Sequence, residues 1–242
     1  MKRTICILLA LLTLAPAAMH GQEFEGLYRP FGLGFHVGAG AMLPTGSLAD
    51  DFKGYALFTA GVNLNYNRLR FKGDFSYGQP SFKNENPYAV IDDQGRNLQL
   101  NATANPTLFG GAFQLGYTVW RNGKLSITPA VGVTASRLSW DLNHIKYEKD
   151  DDGIERPIID NVTSTHENNF SWIASVDFDI KLHSKLVNYP SGDSNEGHYT
   201  SWLRISPFVT HAKFNNFSPQ AKGCCVGVTI GYAGLLHALN RE

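Results

Sequence analysis

Apolar side chains occupy every second position of a long segment near the start of the chain. The odd positions hold Phe31, Leu33, Phe35, Val37, Ala39, Ala41 and Leu43, whereas the even positions between them hold glycine, His36 and Met42. Because successive side chains of a β-strand point to opposite faces, this period of two predicts a strand with one apolar face. Such a strand is typical of a barrel wall whose outer face meets lipid.

The same alternation recurs in later segments, which together with 32–43 predict eight strands. The later segments are 55–66, 69–77, 108–120, 125–139, 170–182, 202–214 and 223–236. The segment at 202–214 is the least regular, because Trp202 and Phe208 share a face with Arg204 and Ser206. An all-β chain is therefore expected, with strand and turn signals following one another to the end of the chain.

The connections between these segments alternate in length. Long connections at 44–54, 78–107 and 140–169 are separated by short turns at 67–68 and 121–124. The last two, 183–201 and 215–222, depart from the alternation, because the first contains a polar insertion and the second is short. Consecutive hairpins of this kind predict an eight-stranded antiparallel up-and-down transmembrane β-barrel. Bacterial barrels carry their long loops on the extracellular side.

The first 21 residues differ from the rest of the chain. Lys2 and Arg3 precede an uncharged apolar stretch, and small residues offer cleavage positions after Ala17 or Gly21. This order predicts a secretory signal peptide at 1–21, followed by a single barrel domain at 22–242. After it, no apolar run reaches the ~18 residues of a membrane-spanning helix. A membrane crossing would then require a closed barrel, which satisfies its own backbone hydrogen bonds.

Formal charge gives no electrostatic reason to expect a nucleic-acid partner. The whole chain has 21 basic and 21 acidic residues, and loss of Lys2 and Arg3 with the signal leaves 19 basic residues. Nucleic-acid binding proteins instead present a strongly basic patch to the phosphates. The expected partners are instead the lipids of the membrane around the barrel.

Aromatic residues with a polar tip fall near the predicted strand ends. Membrane barrels carry such side chains in two girdles, one at each interface with water. The predicted girdle residues are Trp120 and Trp202 at the short-turn end, Trp140 and Trp172 at the long-loop end, and nearby Tyr66, Tyr77 and Tyr232. A soluble β-sandwich would instead bury its tryptophans near the middle of its strands.

Charged residues of both signs fall on the inward faces of three predicted strands. They are Arg70, Lys72 and Asp74 on the third strand, Asp177, Asp179 and Lys181 on the sixth, and Arg204 on the seventh. Side chains fill the interior of an eight-stranded barrel, and buried charges have to pair. A lumen closed by a charge network is the leading interpretation, and a narrow conductive pathway for ions is the alternative.

The glycine-rich first strand and the segments after it resemble a known family. The stretch Gly32-Leu-Gly-Phe-His-Val-Gly-Ala-Gly is followed by Leu43-Pro-Thr-Gly-Ser-Leu and by Gly61-Val-Asn. From position 31 to about 236 the chain resembles the porin-family outer-membrane β-barrel proteins of Bacteroidetes, which are similar in architecture to OmpA/OmpX-type small barrels. The resemblance implies a fold and a location in the bacterial outer membrane, and it does not specify an activity.

Motifs for catalysis or metal binding are incomplete. His211 lies near the long-loop end of a strand, where some outer-membrane lipid A deacylases carry His-x-Ser, but position 213 is Lys and the nucleophile is missing. The acidic run at 148–153 imitates a calcium loop, yet Ile159 stands where a bidentate Glu belongs. No enzymatic activity, cofactor or metal is therefore expected.

Several functions remain open for such a barrel. The leading hypothesis is a non-enzymatic barrel that presents the loops 44–54, 78–107 and 140–169 to an extracellular ligand or an envelope protein, or that serves envelope architecture. The alternatives are a narrow porin-like channel, a component of a secretion machine, a lipid-modifying enzyme, and a soluble periplasmic barrel resembling a lipocalin. A lipocalin-like barrel would hide its apolar faces in its centre.

Overall fold

A computed structural model of the chain describes residues 28–83, 89–91, 97–99, 106–149, 151–188, 196–214 and 221–239. Most of these residues lie in β-strands. The strands are β1 Tyr28–Pro44, β2 Tyr55–Tyr66, β3 Leu69–Gly78, β4 Ala89–Ile91, β5 Asn97–Gln99, β6 Thr107–Tyr117, β7 Trp120–Arg121, β8 Leu125–Lys149, β9 Glu155–Asn188, β10 Glu196–Lys213 and β11 Lys222–Leu239, and a short helix, α1, spans Leu48–Asp51. The predicted signal peptide at 1–21 lies outside the described residues.

Eight of these strands form a closed barrel. β1, β2, β3, β6, β8, β9, β10 and β11 pair in chain order, each antiparallel to the next. The last strand pairs with the first, so that Val37 lies beside Tyr232 and the barrel closes. The predicted eight-stranded antiparallel up-and-down barrel is therefore confirmed. Closure matters physically because it leaves no unpaired sheet edge in the wall.

The connections lie at two ends of the barrel. At the end that we name the turn end, Asn67 and Arg68 join β2 to β3, and Asn67 adopts the left-handed conformation with φ of 52°. Asparagine tolerates this conformation better than most residues. The opposite end, named the loop end, carries α1 and the tip of the β8–β9 hairpin. No helix among the described residues has the length and apolar character needed to cross a membrane.

The predicted long loop at 140–169 is largely wrong. β8 continues to Lys149 and β9 begins at Glu155, so that the two strands remain paired almost to their turn. Pairing between β8 and β6 ends at Ser139, and the rest of this hairpin projects past the barrel wall. A two-stranded ribbon covers no core, so its strands need no apolar face. This explains why the alternating pattern fails in this segment.

Burial alternates along the barrel strands in the way that the sequence predicts. On β1 the odd-numbered side chains from Phe31 to Leu43 are exposed on the outside, whereas His36 and Met42 are buried in the lumen. The outward set contains large apolar residues from several strands, among them Phe35, Phe58, Phe75, Phe113, Val131, Phe170 and Ile230. The outside of the barrel is thus apolar and its interior is lined with glycine and polar residues.

An apolar cluster closes the lumen at the loop end. Leu48 of α1 and the following Phe52 pack inward against Leu138, Trp140 and Phe214. The rings of Phe52 and Phe214 lie 6.4 Å apart between centroids in an edge-on arrangement. The hydrophobic core of this barrel therefore lies at one end of the lumen and not at its centre. Polar side chains predominate in the middle of the lumen and in its turn-end half, where Ala233 and Leu235 are buried apolar residues.

Candidate functional site: a charge cluster in the barrel lumen

Six charged residues meet inside the barrel. Arg70, Lys72 and Asp74 project from β3 at intervals of two residues, so that all three point into the lumen. Asp177 and Asp179 project in the same way from β9, and Arg204 projects from β10. We name this set, Arg70, Lys72, Asp74, Asp177, Asp179 and Arg204, the lumen charge cluster.

Asp179 joins the two arginines of the cluster. Arg204 donates from Nε to Oδ1 over 2.6 Å and from Nη2 to Oδ2 over 3.0 Å, which is a bidentate contact. Arg70 donates from Nη2 to the same Oδ2 over 2.9 Å. Only 1 % of Asp179 is exposed, so these contacts form out of water. Bidentate pairs between arginine and a carboxylate are among the strongest hydrogen-bonded contacts in proteins.

Asp177 is the second centre of the cluster and is fully buried. Its Oδ2 accepts a hydrogen bond from Arg70 Nη1 over 3.1 Å, and its Oδ1 accepts from Lys72 Nζ over 3.2 Å. Ser206 Oγ donates to Oδ1 over 2.7 Å, and Arg204 Nη1 lies 3.8 Å from Oδ2. Every cation of the cluster therefore touches this one carboxylate.

Asp74 extends the cluster toward the loop end. His36 Nε2 lies 2.8 Å from Asp74 Oδ1, and Lys72 Nζ lies 3.5 Å from Oδ2. Gln114 Nε2 donates to Oδ2 over 2.8 Å, while Gln114 Oε1 accepts a hydrogen bond from Ser175 Oγ over 2.7 Å. His36, Gln114 and Ser175 were not among the predicted site residues.

These partners come from across the barrel. Contributing residues lie on β1, β3, β6, β9 and β10, and Asn65 of β2 accepts a hydrogen bond from Arg70 Nε over 3.0 Å. Six of the eight barrel strands thus supply side chains to one network, which spans the lumen. The cluster contains three cations and three carboxylates, so its formal charges balance when His36 is neutral. Such a paired set can block passage through the lumen and can link the strands that surround it.

Lys181 does not take part in this network. Its side chain is half-buried, and the ion pairs found among the described residues connect the other six predicted members without it. The pairing register is irregular between Ser201 and Trp202, close to the point where Lys181 pairs.

Two tryptophans differ from the girdle expectation. Trp140 is only 3 % exposed and belongs to the apolar cluster in the lumen. Trp202 lines a small interior cavity with Arg70, Asp179 and Arg204. Even-numbered positions of β8 and β10 face the lumen, as Thr128 and Arg204 do, and both tryptophans follow that parity. The alternation of their own strands was therefore the signal that places them inside.

The other predicted girdle residues lie on the outer surface or near it. Trp172 is 47 % exposed and Tyr66 is 50 % exposed, whereas Trp120 and Tyr77 are half-buried. Tyr232 is exposed and its hydroxyl shares a 2.5 Å hydrogen bond with the Tyr199 hydroxyl of the neighbouring strand.

The described residues offer no metal centre. Among the ranges that the structure describes, no group of three or more His, Cys, Asp or Glu side chains is arranged to hold a metal ion. Ser164 and His166 are exposed on the projecting β8–β9 hairpin. His211 lines an interior cavity, with Lys213 exposed two residues later.

Comparisons with known proteins return similar barrel structures and no family. No family model matches the chain, and no curated protein matches it. Neisserial surface protein A is 11% identical over 85% of this chain and 95% of that chain, with a TM-score of 0.43. The attachment invasion locus protein Ail of Yersinia pestis is 10% identical over 85% of this chain and 97% of that chain, with a TM-score of 0.39.

A third similar structure is the outer membrane protein OprG of Pseudomonas aeruginosa. It is 7% identical over 91% of this chain and 100% of that chain, with a TM-score of 0.38. At these identities and scores the likenesses carry no argument about function. The barrel assignment rests on the strand pairing of the chain itself.

Proposed function

We propose that this protein is a non-enzymatic β-barrel of the bacterial outer membrane, of the porin-family type that its sequence resembles. In this proposal the segment 1–21 directs export and is removed, and acyl chains surround the barrel. The lumen charge cluster closes the interior. The loop end faces the outside of the cell and serves for binding or for envelope architecture.

The observation that carries the proposal is the apolar outer face of the barrel. Seven of the eight barrel strands expose large apolar side chains, and β10 adds half-buried Leu203, Ile205 and Val209 on the same face. Soluble monomers rarely expose continuous apolar patches of more than a few hundred Å². A surrounding hydrocarbon phase removes the cost of this exposure. A lipocalin-like soluble barrel requires the reverse arrangement, with apolar side chains inside.

A contact test with lipid-borne quenchers examines this proposal directly. In a Cys224→Ser/Cys225→Ser background, single cysteines replace Leu115 or Val131, which are exposed on the outer face, and carry a fluorescent label. We expect quenchers on acyl chains to reduce the emission of both labels. A matched label at Thr134, on the lumen side of the same strand as Val131, should respond weakly. Quenching of the Leu115 and Val131 labels by aqueous reagents alone would favour the soluble barrel.

The orientation requires a separate experiment in intact cells. Ile154 lies exposed at the tip of the β8–β9 hairpin, and Lys124 lies exposed at the turn end. A membrane-impermeant maleimide should label Ile154→Cys in intact cells and should label Lys124→Cys only after the outer membrane is opened. The opposite labelling pattern would mean that the turn end faces the outside of the cell, and it would leave the membrane location of the barrel unaffected.

Ion conductance separates the leading function, in which the lumen is closed, from a porin-like channel. The purified barrel should give no stable single-channel steps in planar lipid bilayers, because Arg70, Asp177 and Arg204 occupy the lumen as a paired set. Large and persistent conductance steps from the unmodified protein would contradict a closed lumen and would favour the porin-like channel.

A further inference from the structure

A cavity lies between the lumen charge cluster and the apolar cluster of the loop end. Its volume is about 110 Å³. Met42, Leu57, Leu108, Phe208 and Phe214 line it toward the loop end. Protein interiors are close-packed, and most of their voids are no larger than a water molecule. A cavity of this size at the centre of a small barrel therefore requires an explanation.

The two sides of the cavity differ in chemistry. Its loop-end wall is formed by apolar side chains, whereas His36, Asp74, Gln114, Ser175 and Arg204 line it toward the turn end. Most of the surface that the cavity offers is apolar. Ligand sites usually combine an apolar lining with a few polar groups that fix the orientation of the ligand. The cavity has this composition on a small scale.

The charge balance of the polar side favours a neutral ligand. The lumen charge cluster, to which Arg204 and Asp74 belong, already balances three cations against three carboxylates, although Arg204 Nη1 and Asp74 Oδ1 make no hydrogen bond to the described residues. An additional buried charge would have no counter-charge, and burying an unpaired charge costs far more than burying a hydrogen-bonded hydroxyl.

His36 supplies a hydrogen-bonding atom that the protein itself leaves unused. Its Nε2 lies 2.8 Å from Asp74 Oδ1. In the tautomer that carries the proton on Nε2, Nδ1 is a hydrogen-bond acceptor. No hydrogen-bond partner of the buried Nδ1 is found among the residues that the structure describes. A ligand hydroxyl is a donor that suits this atom.

We propose that this cavity binds a small neutral alcohol, with its alkyl part against the apolar wall and its hydroxyl toward His36. An apolar cavity of roughly 150 Å³ accommodates benzene, which has six non-hydrogen atoms, so 110 Å³ suits about four or five. 1-Butanol has this size. For so small a ligand the dissociation constant is on the order of 1 mM.

The route into the cavity is from the loop end. On the turn-end side the paired charges span the lumen. On the other side, Tyr55, Leu108, Phe214 and Cys225 separate the cavity from a smaller one of about 20 Å³, which Leu48 of α1 also lines. Displacement of apolar side chains breaks no ion pair, so the loop-end side opens more easily than the charge cluster.

The test follows methyl signals of the folded barrel in lipid nanodiscs by NMR during a titration with 1-butanol. The Met42 and Leu57 methyl groups report on the cavity, and the Val131 methyl groups report on alcohol that dissolves in the lipid. We expect saturable shifts at Met42 and Leu57 and a linear response at Val131. A linear response at all three positions would overturn the proposal.

A pair of alanine variants supplies the matched control. Ala112 lines the cavity, whereas Ala135 on the neighbouring strand faces outward, so Ala112→Leu should abolish the saturable shift and Ala135→Leu should preserve it. Thr59→Leu, which fills another part of the cavity, repeats the test if Ala112→Leu does not fold. An unchanged shift in a folded cavity-filling variant would contradict the proposal.

Charged analogues test the chemical class of the ligand. Butyrate and butylammonium have alkyl chains similar to that of 1-butanol, and neither should produce saturable shifts at Met42 or Leu57. Saturable binding of either ion, as strong as that of the alcohol, would overturn the assignment of a neutral ligand. None of these readouts depends on the orientation of the barrel in the cell.

Discussion

Arg204 and Asp179 lie directly opposite each other on β10 and β9 and are joined by two hydrogen bonds of 2.6 and 3.0 Å. Neighbouring antiparallel strands place such opposed side chains on the same face. Here that face is the lumen, and the pair is buried. The strand register thus links two residues 25 positions apart in sequence as a buried pair on neighbouring strands, and Arg70 of β3 connects this pair across the lumen.

Removal of this carboxylate should destabilise the barrel strongly. In Asp179→Ala, Arg204 loses its bidentate partner and Arg70 loses one of its two carboxylates. Breaking a buried ion pair from one side typically costs about 3–5 kcal/mol. Urea-induced unfolding in lipid vesicles, followed by the gel mobility of unheated samples, should show this loss in the free energy of unfolding.

Two further variants separate this loss from a general effect of losing a carboxylate. Asp151→Ala at the exposed hairpin tip should change the free energy of unfolding by less than about 0.5 kcal/mol. Arg204→Leu should cost less in the Asp179→Ala background than in the unmodified protein, because contacting residues are not additive. Additive losses would mean that the two residues do not act together.

The period-two pattern was enough to predict the barrel, because each wall strand separates an apolar outside from a polar lumen. For the same reason the pattern places Arg70 and Asp177 on inward faces, and both side chains are buried. It did not identify His36 as a partner of Asp74. That contact depends on the registers of β1 with β2 and of β2 with β3, which alternation does not specify.

Residues at the strand ends were less predictable than those in the middle of the wall. Trp140 and Trp202 were assigned to the girdle from their positions along the strands, but their parity turns both toward the interior. Lys181 has the parity of Asp177 and Asp179, yet it lies next to a register irregularity and outside the network. Position along a strand and facing direction are independent, and both are needed to locate a side chain.

Arginine on the outer face should be more harmful than arginine in the lumen. Val131 and Thr134 lie on the same strand, with Val131 exposed outside and Thr134 lining the cavity that Asp74 also lines. An arginine facing lipid near the membrane midplane costs about 2–4 kcal/mol. The lumen offers space and a carboxylate. The folded fraction after refolding into vesicles should therefore be lower for Val131→Arg than for Thr134→Arg, and the reverse order would contradict the assigned faces.

A methyl group at position 61 should displace His36 from its place beside Asp74. A Cβ there would meet the Gly73 carbonyl oxygen most closely and would lie 2.5 Å from His36 Cε1 and 2.8 Å from Asp74 Oδ1, and such overpacking typically costs about 1–3 kcal/mol. Gly111→Ala is the control, because its nearest contact would be 3.8 Å away on the exposed face. Unfolding in urea should occur at a lower concentration for Gly61→Ala and be nearly unchanged for Gly111→Ala.

Tryptophan fluorescence should distinguish the two faces near the loop end. Trp172 is 47 % exposed on the outside of β9, whereas Trp140 on the paired strand is 3 % exposed and lies in the apolar cluster. In variants that retain one of these two tryptophans, with phenylalanine at the other three positions, brominated lipids should quench Trp172 strongly and Trp140 weakly. Quenching depends on contact, so equal quenching would require Trp140 to reach the lipid. Because Trp140 packs beside Phe214 inside the barrel, its emission should also stay at shorter wavelength when the vesicles contain no bromine.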